Sequence, residues 1–180
     1  SLRLAPPGRS SLMVFNVDHF KQINEESGHA GGDEALKLVA GTARKMLRSR
    51  DLLGRLGGDE FVALLPDTST KDALHVADRM VKQLDRERRV LHQKPLSLSF
   101  GVVQIGAKES MTDATQRADL ALQQAKLQGR GRAVAGEPAT AAAPQAGAPT
   151  VADAAAAGEP DDPSGLQRRR SSDRGSDARA

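Results

Sequence analysis

Residue 136 divides the chain. From Glu137 to Ala180 the sequence is built mainly of Ala, Gly, Pro, Ser, Arg and Asp, with Val151 and Leu166 as its sizeable aliphatic residues. Such a stretch has too little apolar surface to offset the entropy of ordering it, so it reads as a disordered tail. The opening residues 1–10, with Pro6-Pro7-Gly8, read as an irregular segment. One core therefore has to form within residues 11–136, a length that can hold a single domain. Five arginines and seven acids leave the tail at −2 and residues 1–136 at +5, of a total of +3. Arg168-Arg169-Arg170 reads as a solvated charge run. The 180 residues include no cysteine, which excludes disulfides, thiolate nucleophiles and zinc ribbons and is compatible with a reducing cytoplasmic setting. No apolar run approaches the ~20 residues of a membrane helix, and the start does not read as a signal peptide.

Within the domain, Ser11–Val17 is a mostly apolar run that reads as a buried strand. Asp18 is placed to cap a short helix through about Glu26, stopped by Ser27-Gly28. A second helix runs from Gly32 to Arg48 on the spacing of Leu36, Val39, Ala40, Ala43, Met46 and Leu47. Leu52–Leu56 and Phe61–Leu65 flank Gly57-Gly58-Asp59-Glu60 as a hairpin with a glycine turn, closed by Pro66-Asp67. A long helix then turns Leu74, Ala77, Val81 and Leu84 inward. Leu96–Val103 reads as a strand, and Ala114–Gln128 as a helix with Ala118, Ala121, Leu122 and Ala125 inward. Gly129 stops that helix, and Arg132–Ala135 is a last short strand. The order predicts an α+β fold, a mixed central sheet with helices packed on one face.

Four constellations carry chemistry. Asp59 and Glu60 sit at the hairpin tip, and Asn16 and Asp18 lie two residues apart where the first strand ends. Period-two alternation points that second pair to one face, and oxygen ligands beside a carboxylate pair suit Mg²⁺. The bland alternative is a decorated tight turn. Asp18-His19-Phe20-Lys21 opens a helix, whose free N–H groups attract phosphate; capping by Asp18 is compatible with this. Asn24 and Asp33 straddle a glycine-rich loop and offer an amide and a carboxylate to a guanine edge; singly, each reads as a turn or cap residue. Lys126 and Arg130 stand four apart at a helix C-terminus, where the dipole alone favours cations.

Taken together, Asn16-Val17-Asp18-His19-Phe20-Lys21-Gln22-Ile23-Asn24, Gly28-His29, Gly32-Asp33, Arg55-Leu56-Gly57-Gly58-Asp59-Glu60-Phe61 and Ala118–Lys126 ending in Gly129-Arg130 resemble the GGDEF domain of bacterial diguanylate cyclases over residues 12–135. The resemblance implies a ferredoxin-like fold akin to the palm of nucleotide cyclases and polymerases. It implies condensation of two GTP into cyclic di-GMP with release of pyrophosphate, between two domains that face one another as a homodimer. By position, Asp59 is the catalytic metal-binding acid and Glu60 supports the metal and phosphate region. Asn16 and the Val17 carbonyl complete the set for Mg²⁺, or Mn²⁺. His19 and Phe20 amides with Lys21, Lys126 and Arg130 hold the triphosphate, and Asn24 and Asp33 read guanine. Arg48-Ser49-Arg50-Asp51 resembles the family's inhibitory product site, in which Arg48 and Asp51 grip cyclic di-GMP; the plain alternative is a helix-ending arginine beside an aspartate.

Three positions depart from the family pattern. Asn16 stands where a metal-binding aspartate is usual, which lowers the charge available to the ion. The D-x-L-T-x-L-x-N-R stretch before the first strand is missing, and Gln123 replaces a customary tyrosine. Two readings follow, an active cyclase or a degenerate domain that binds GTP or cyclic di-GMP and signals by contact. Nucleic-acid binding is disfavoured, because basic residues are scattered among acids and the aromatic residues are Phe15, Phe20, Phe61 and Phe100 alone.

Overall fold

The structure is a computed structural model that describes residues 10–90 and 94–139. The readings of residues 1–9 as irregular and 140–180 as disordered lie outside it. In chain order the elements are β1 (Ser11–Val17), α1 (Phe20–Met46), β2 (Leu52–Gly57), β3 (Glu60–Leu65), α2 (Thr70–Val90), β4 (Leu98–Gln104), α3 (Met111–Leu127) and β5 (Ala133–Ala135). They form one α+β domain around a five-stranded sheet of order β2-β3-β1-β4-β5. β1 pairs antiparallel with β3 and β4, β2 pairs antiparallel with β3, and β5 joins β4 in parallel.

Every residue of the central strand β1 is buried, because the sheet is covered on both faces. Met13, Phe15 and Val17 join Leu36, Val39 and Ala43 of α1 and Ala77, Met80 and Leu84 of α2 in the larger core. Leu12 and Val14 point the other way, to Ala114, Ala118 and Leu122 of α3. The expectation of helices on one face is thus corrected: among the described residues, α3 is the helix that covers the second face. Its seat is set by Gly101, where an added Cβ would lie 1.9 Å from the Ala118 carbonyl oxygen. A glycine within a strand here permits close approach of a helix backbone.

Register aligns three of the four phenylalanines. Phe15 opposes Phe61 on β3 and Phe100 on β4. The ring centroids lie 5.3 and 5.1 Å apart in stacked pairs, each adding about 0.5–1.5 kcal/mol beyond burial. On α2 the fully buried residues are Ala73, Ala77, Met80 and Leu84. Leu74 and Val81, expected inward, are half-buried and flank that stripe. The two helices expected before the hairpin abut in α1, where Gly28 (φ 69°, ψ 174°) breaks the helical path at the expected stop.

Candidate functional site

The hairpin tip is tighter than the sequence suggested. Gly57 and Glu60 pair within β2 and β3, leaving Gly58-Asp59 as the turn, with a bulge between Arg55 and Gly57. Gly58 takes φ 36°, and Arg55 braces the tip by donating from Nε and Nη2 to the Gly58 carbonyl at 2.9 and 2.5 Å. β1 ends beside it: the Val17 N–H donates to the Asp59 carbonyl at 3.3 Å, and Asn16 Nδ2 to Asp59 Oδ2 at 3.2 Å. Strand pairing therefore delivers Asn16 and Asp59 to one point.

Asp18 does not cap α1. The cap position is His19, in left-handed backbone (φ 57°), with no side-chain bond and no acid in the first turn. The Asp18 carboxylate is buried and accepts instead from Ser97 Oγ (2.5 Å), Ser99 Oγ (2.7 Å) and the Gly131 amide (3.1 Å). Three donors from other segments satisfy a buried carboxylate better than one local cap. The expected Asn16–Asp18 ligand pair is thereby split, Asn16 turning to Asp59 and Asp18 to β4 and the turn after α3. The uncapped first turn leaves the positive end of α1 open.

That end faces a cleft of about 420 Å³ lined by Val17, Asp18, His19, Phe20, Lys21, Asn24, Asp59, Lys126 and Arg130. Two separate stretches of chain, the β1–α1 turn and the end of α3, thus bring their cations to the same space. Asn24 lies against the backbone of α1: a Cβ on Gly32 would fall 1.9 Å from Asn24 Oδ1. Asp33, the next residue, is exposed and is not among the cleft-lining residues.

Glu60 stands behind the tip, and its carboxyl is pushed above its ordinary value, first by burial, then by Asp119, against the pull of Lys126. Asp119 on α3 is raised by burial as well, opposed by Lys126. Asp119 was missed from the sequence although it lies inside the string that carries Lys126. Its Oδ1 and Asn16 Oδ1 are buried without a hydrogen-bond partner. Among the described residues no three His, Cys, Asp or Glu side chains converge as a metal site. The donor set of Asn16, Asp59 and Glu60 nevertheless fits Mg²⁺, which takes one or two carboxylates with the rest from substrate phosphate and water. An orphaned amide oxygen at Asn16 agrees with that fit.

Arg48 and Asp51 meet at a second cavity, of about 430 Å³, at the end of α1. Asp51 Oδ2 accepts from the Arg48 amide at 2.7 Å while the Asp51 amide donates to the Arg48 carbonyl at 3.0 Å. His75 and Arg79, one helical turn apart on α2, line the same cavity and were not singled out from the sequence. Among the described residues no helix is long and apolar enough to cross a membrane.

A family model described as "Diguanylate cyclase, GGDEF domain" matches residues 4–132. The chain is 40% identical over 123 residues to diguanylate cyclase DgcP of Pseudomonas aeruginosa, covering 67% of this chain and 18% of that protein. It is 35% identical over 125 residues to diguanylate cyclase A of Treponema denticola, covering 68% of this chain and 34% of that one. It therefore spans a minor part of both relatives. The fold superposes on the GGEEF domain of a diguanylate cyclase from Vibrio cholerae with a TM-score of 0.66 and 29% identity, over 71% of this chain and 83% of that one. The GGDEF domain of DgcB from Caulobacter crescentus, solved in complex with c-di-GMP, gives 0.65 and 27%, over 70% and 77%. The model spans the β1 end, the hairpin tip and α3, so the segments that build the cleft are the segments matched: the chain belongs to the GGDEF-domain diguanylate cyclase family.

Proposed function

We propose that this domain condenses two GTP molecules into cyclic di-GMP with release of pyrophosphate. One observation carries the reading: a single cleft gathers the free N-terminal end of α1, Lys21, Asn24, Asp59, Lys126 and Arg130. In it the His19 and Phe20 amides, Lys21, Lys126 and Arg130 hold the triphosphate; Asn24 reads guanine from the lining, with Asp33 reaching it from the exposed surface of α1 outside the cleft. Asn16, the Val17 carbonyl, Asp59 and Glu60 would hold Mg²⁺ or Mn²⁺, which supplies charge neutralisation at the phosphates when bound. The chain's own contribution is positioning and electrostatic stabilisation, with no covalent intermediate on the protein. Two such domains, facing one another as a homodimer, present each 3′-hydroxyl to the other's α-phosphate. Arg48 and Asp51 bind the product in the second cavity and restrain turnover.

Asn16 favours a second reading, a domain that binds GTP or cyclic di-GMP without turning over. Its amide hydrogen-bonds the Asp59 carboxylate where a third negative charge would otherwise stand. Incubation with GTP and Mg²⁺ or Mn²⁺, followed by chromatography of the products, separates the two. Cyclic di-GMP and pyrophosphate in a 1:2 ratio support turnover. Bound but unconverted GTP at every metal concentration supports the second reading.

A further inference from the structure

Asp18 has no place in the phosphate-binding set, yet it is 5% exposed and lines the same cleft. Its partners lie far off in sequence. Ser97 immediately precedes β4 and Ser99 is its second residue, and Gly131 lies in the turn between α3 and β5. Its own amide donates to the Ser97 carbonyl at 2.8 Å.

The backbone on both sides of this carboxylate is unusual. His19, the residue after Asp18, has φ 57°. On the other side Gly129, Arg130 and Gly131 have φ 109°, 62° and 60° in succession. Left-handed backbone at a residue other than glycine persists where its surroundings over-determine it. Around Arg130 its carbonyl accepts from Arg132 Nε at 3.2 Å within the same turn, and two further hydrogen bonds reach outside that turn. Its amide donates to the Ala125 carbonyl at 3.0 Å, and the next amide, that of Gly131, donates to Asp18 Oδ2. Arg130 makes no ion pair among the described residues, which leaves its guanidinium for an incoming anion. The bond to Ala125 fixes the turn to its own helix, and the bond to Asp18 fixes it directly to the β1–α1 turn.

We propose that Asp18 is the positioning residue of the cleft: its buried carboxylate ties the turn that carries Arg130 to the turn that carries His19, Phe20 and Lys21. The two anion-holding turns come from opposite ends of the domain sequence, and without this tie they are held to one another only indirectly, through β4, by the Asp18 amide on the Ser97 carbonyl and the Phe100 amide on the Arg132 carbonyl. A bidentate guanidinium loses its advantage with small misplacement, so loss of the tie weakens phosphate contacts and leaves the guanine contacts of α1 intact. This inference rests on the reading of the cleft as a triphosphate site.

The test is calorimetric binding of GTP and of GMP to the full chain and to Asp18→Ala, Arg130→Ala and the double variant. Asp18→Ala should weaken GTP five- to twentyfold and GMP less than twofold. The double variant should bind GTP no more weakly than Arg130→Ala alone, because both changes remove one contact. Asp18→Asn should recover part of the loss, since its amide oxygen still accepts from Gly131. Equal weakening of GTP and GMP, or losses that multiply in the double variant, would overturn the proposal and leave Asp18 a general support. Should Asp18→Ala not fold, Ser97→Ala removes the hydroxyl that holds Asp18 Oδ2 in place for the Gly131 amide, and a two- to fivefold loss confined to GTP is expected; an unchanged ratio refutes the tie. If the unaltered chain binds GTP no better than GMP, the triphosphate reading itself fails, and the positioning role with it.

Discussion

Replacing Asn16 with aspartate puts a second carboxylate against Asp59. The present Nδ2–Oδ2 separation is 3.2 Å. Two unit charges at that distance repel by about 1 kcal/mol in bulk water and about 5 kcal/mol at an effective dielectric of 20. Asn16 is 9% exposed, so the cost lies inside this range rather than at its watery end. Loss of the hydrogen bond adds about 1 kcal/mol. Without metal, Asn16→Asp should therefore melt lower by several degrees, at roughly 4 °C per kcal/mol for a domain of this size. Divalent cation reverses the sign, because added negative charge that repels itself attracts the ion. Thermal melts of both proteins across a Mg²⁺ titration should cross: the variant is less stable without metal, gains more from it, and reaches half its gain at a lower concentration. Turnover, where present, should need less metal in the variant. Equal melting without metal, together with parallel metal curves, would show that residue 16 does not face Asp59 in solution and that the β1–β3 register at this end is wrong.

Phe15→Ala should cost about 3–5 kcal/mol in chemical denaturation, since it opens a cavity between two stacked partners; a cost under about 1 kcal/mol would contradict the three-ring arrangement. Glu109 is held below its ordinary value of 4.5 mainly by hydrogen bonds from Arg117, with help from the Gly106 amide and against its own burial. A depressed folded value stabilises above the unfolded one, so the advantage of the native chain over Glu109→Gln should be level above about pH 4.5 and shrink below it; melts from pH 7 to pH 3 that stay parallel refute this. Arg48→Ala should remove cyclic di-GMP binding while GTP affinity stays within twofold, as read by calorimetry, because the two cavities share no lining residue. GTP should bind about ten- to a hundredfold more tightly than ATP if Asn24 and Asp33 pair with guanine, the cost of leaving polar groups unpaired once a bound base covers them; equal affinities remove that assignment.

What sequence made legible, and what it hid, follows from the range of the interactions involved. β1, the hairpin, α3 and β5 are written in local pattern: apolar runs, a glycine turn, and alanines spaced at 118, 121 and 125. Each is decided by residues a few positions apart. The side of the sheet that α3 occupies is decided at Gly101, on another element, where the contact is with the Ala118 backbone. A clue was present, because seven consecutive buried positions in β1 need cover on both faces, and an almost continuous apolar run is how such a strand reads. The same division runs through the site. His19, Phe20 and Lys21 were legible as one helix start, and the hairpin tip as one turn. The role of Asp18 was misread because local rules see an acid before a helix and assign a cap, whereas its partners are 79, 81 and 113 residues away. Ser97 and Ser99, two apart where an apolar run begins, were a local sign that a buried polar group needed donors. A buried carboxylate takes whatever donors the fold brings to it, and in this chain that requirement joins two turns and a strand start that the sequence lists far apart.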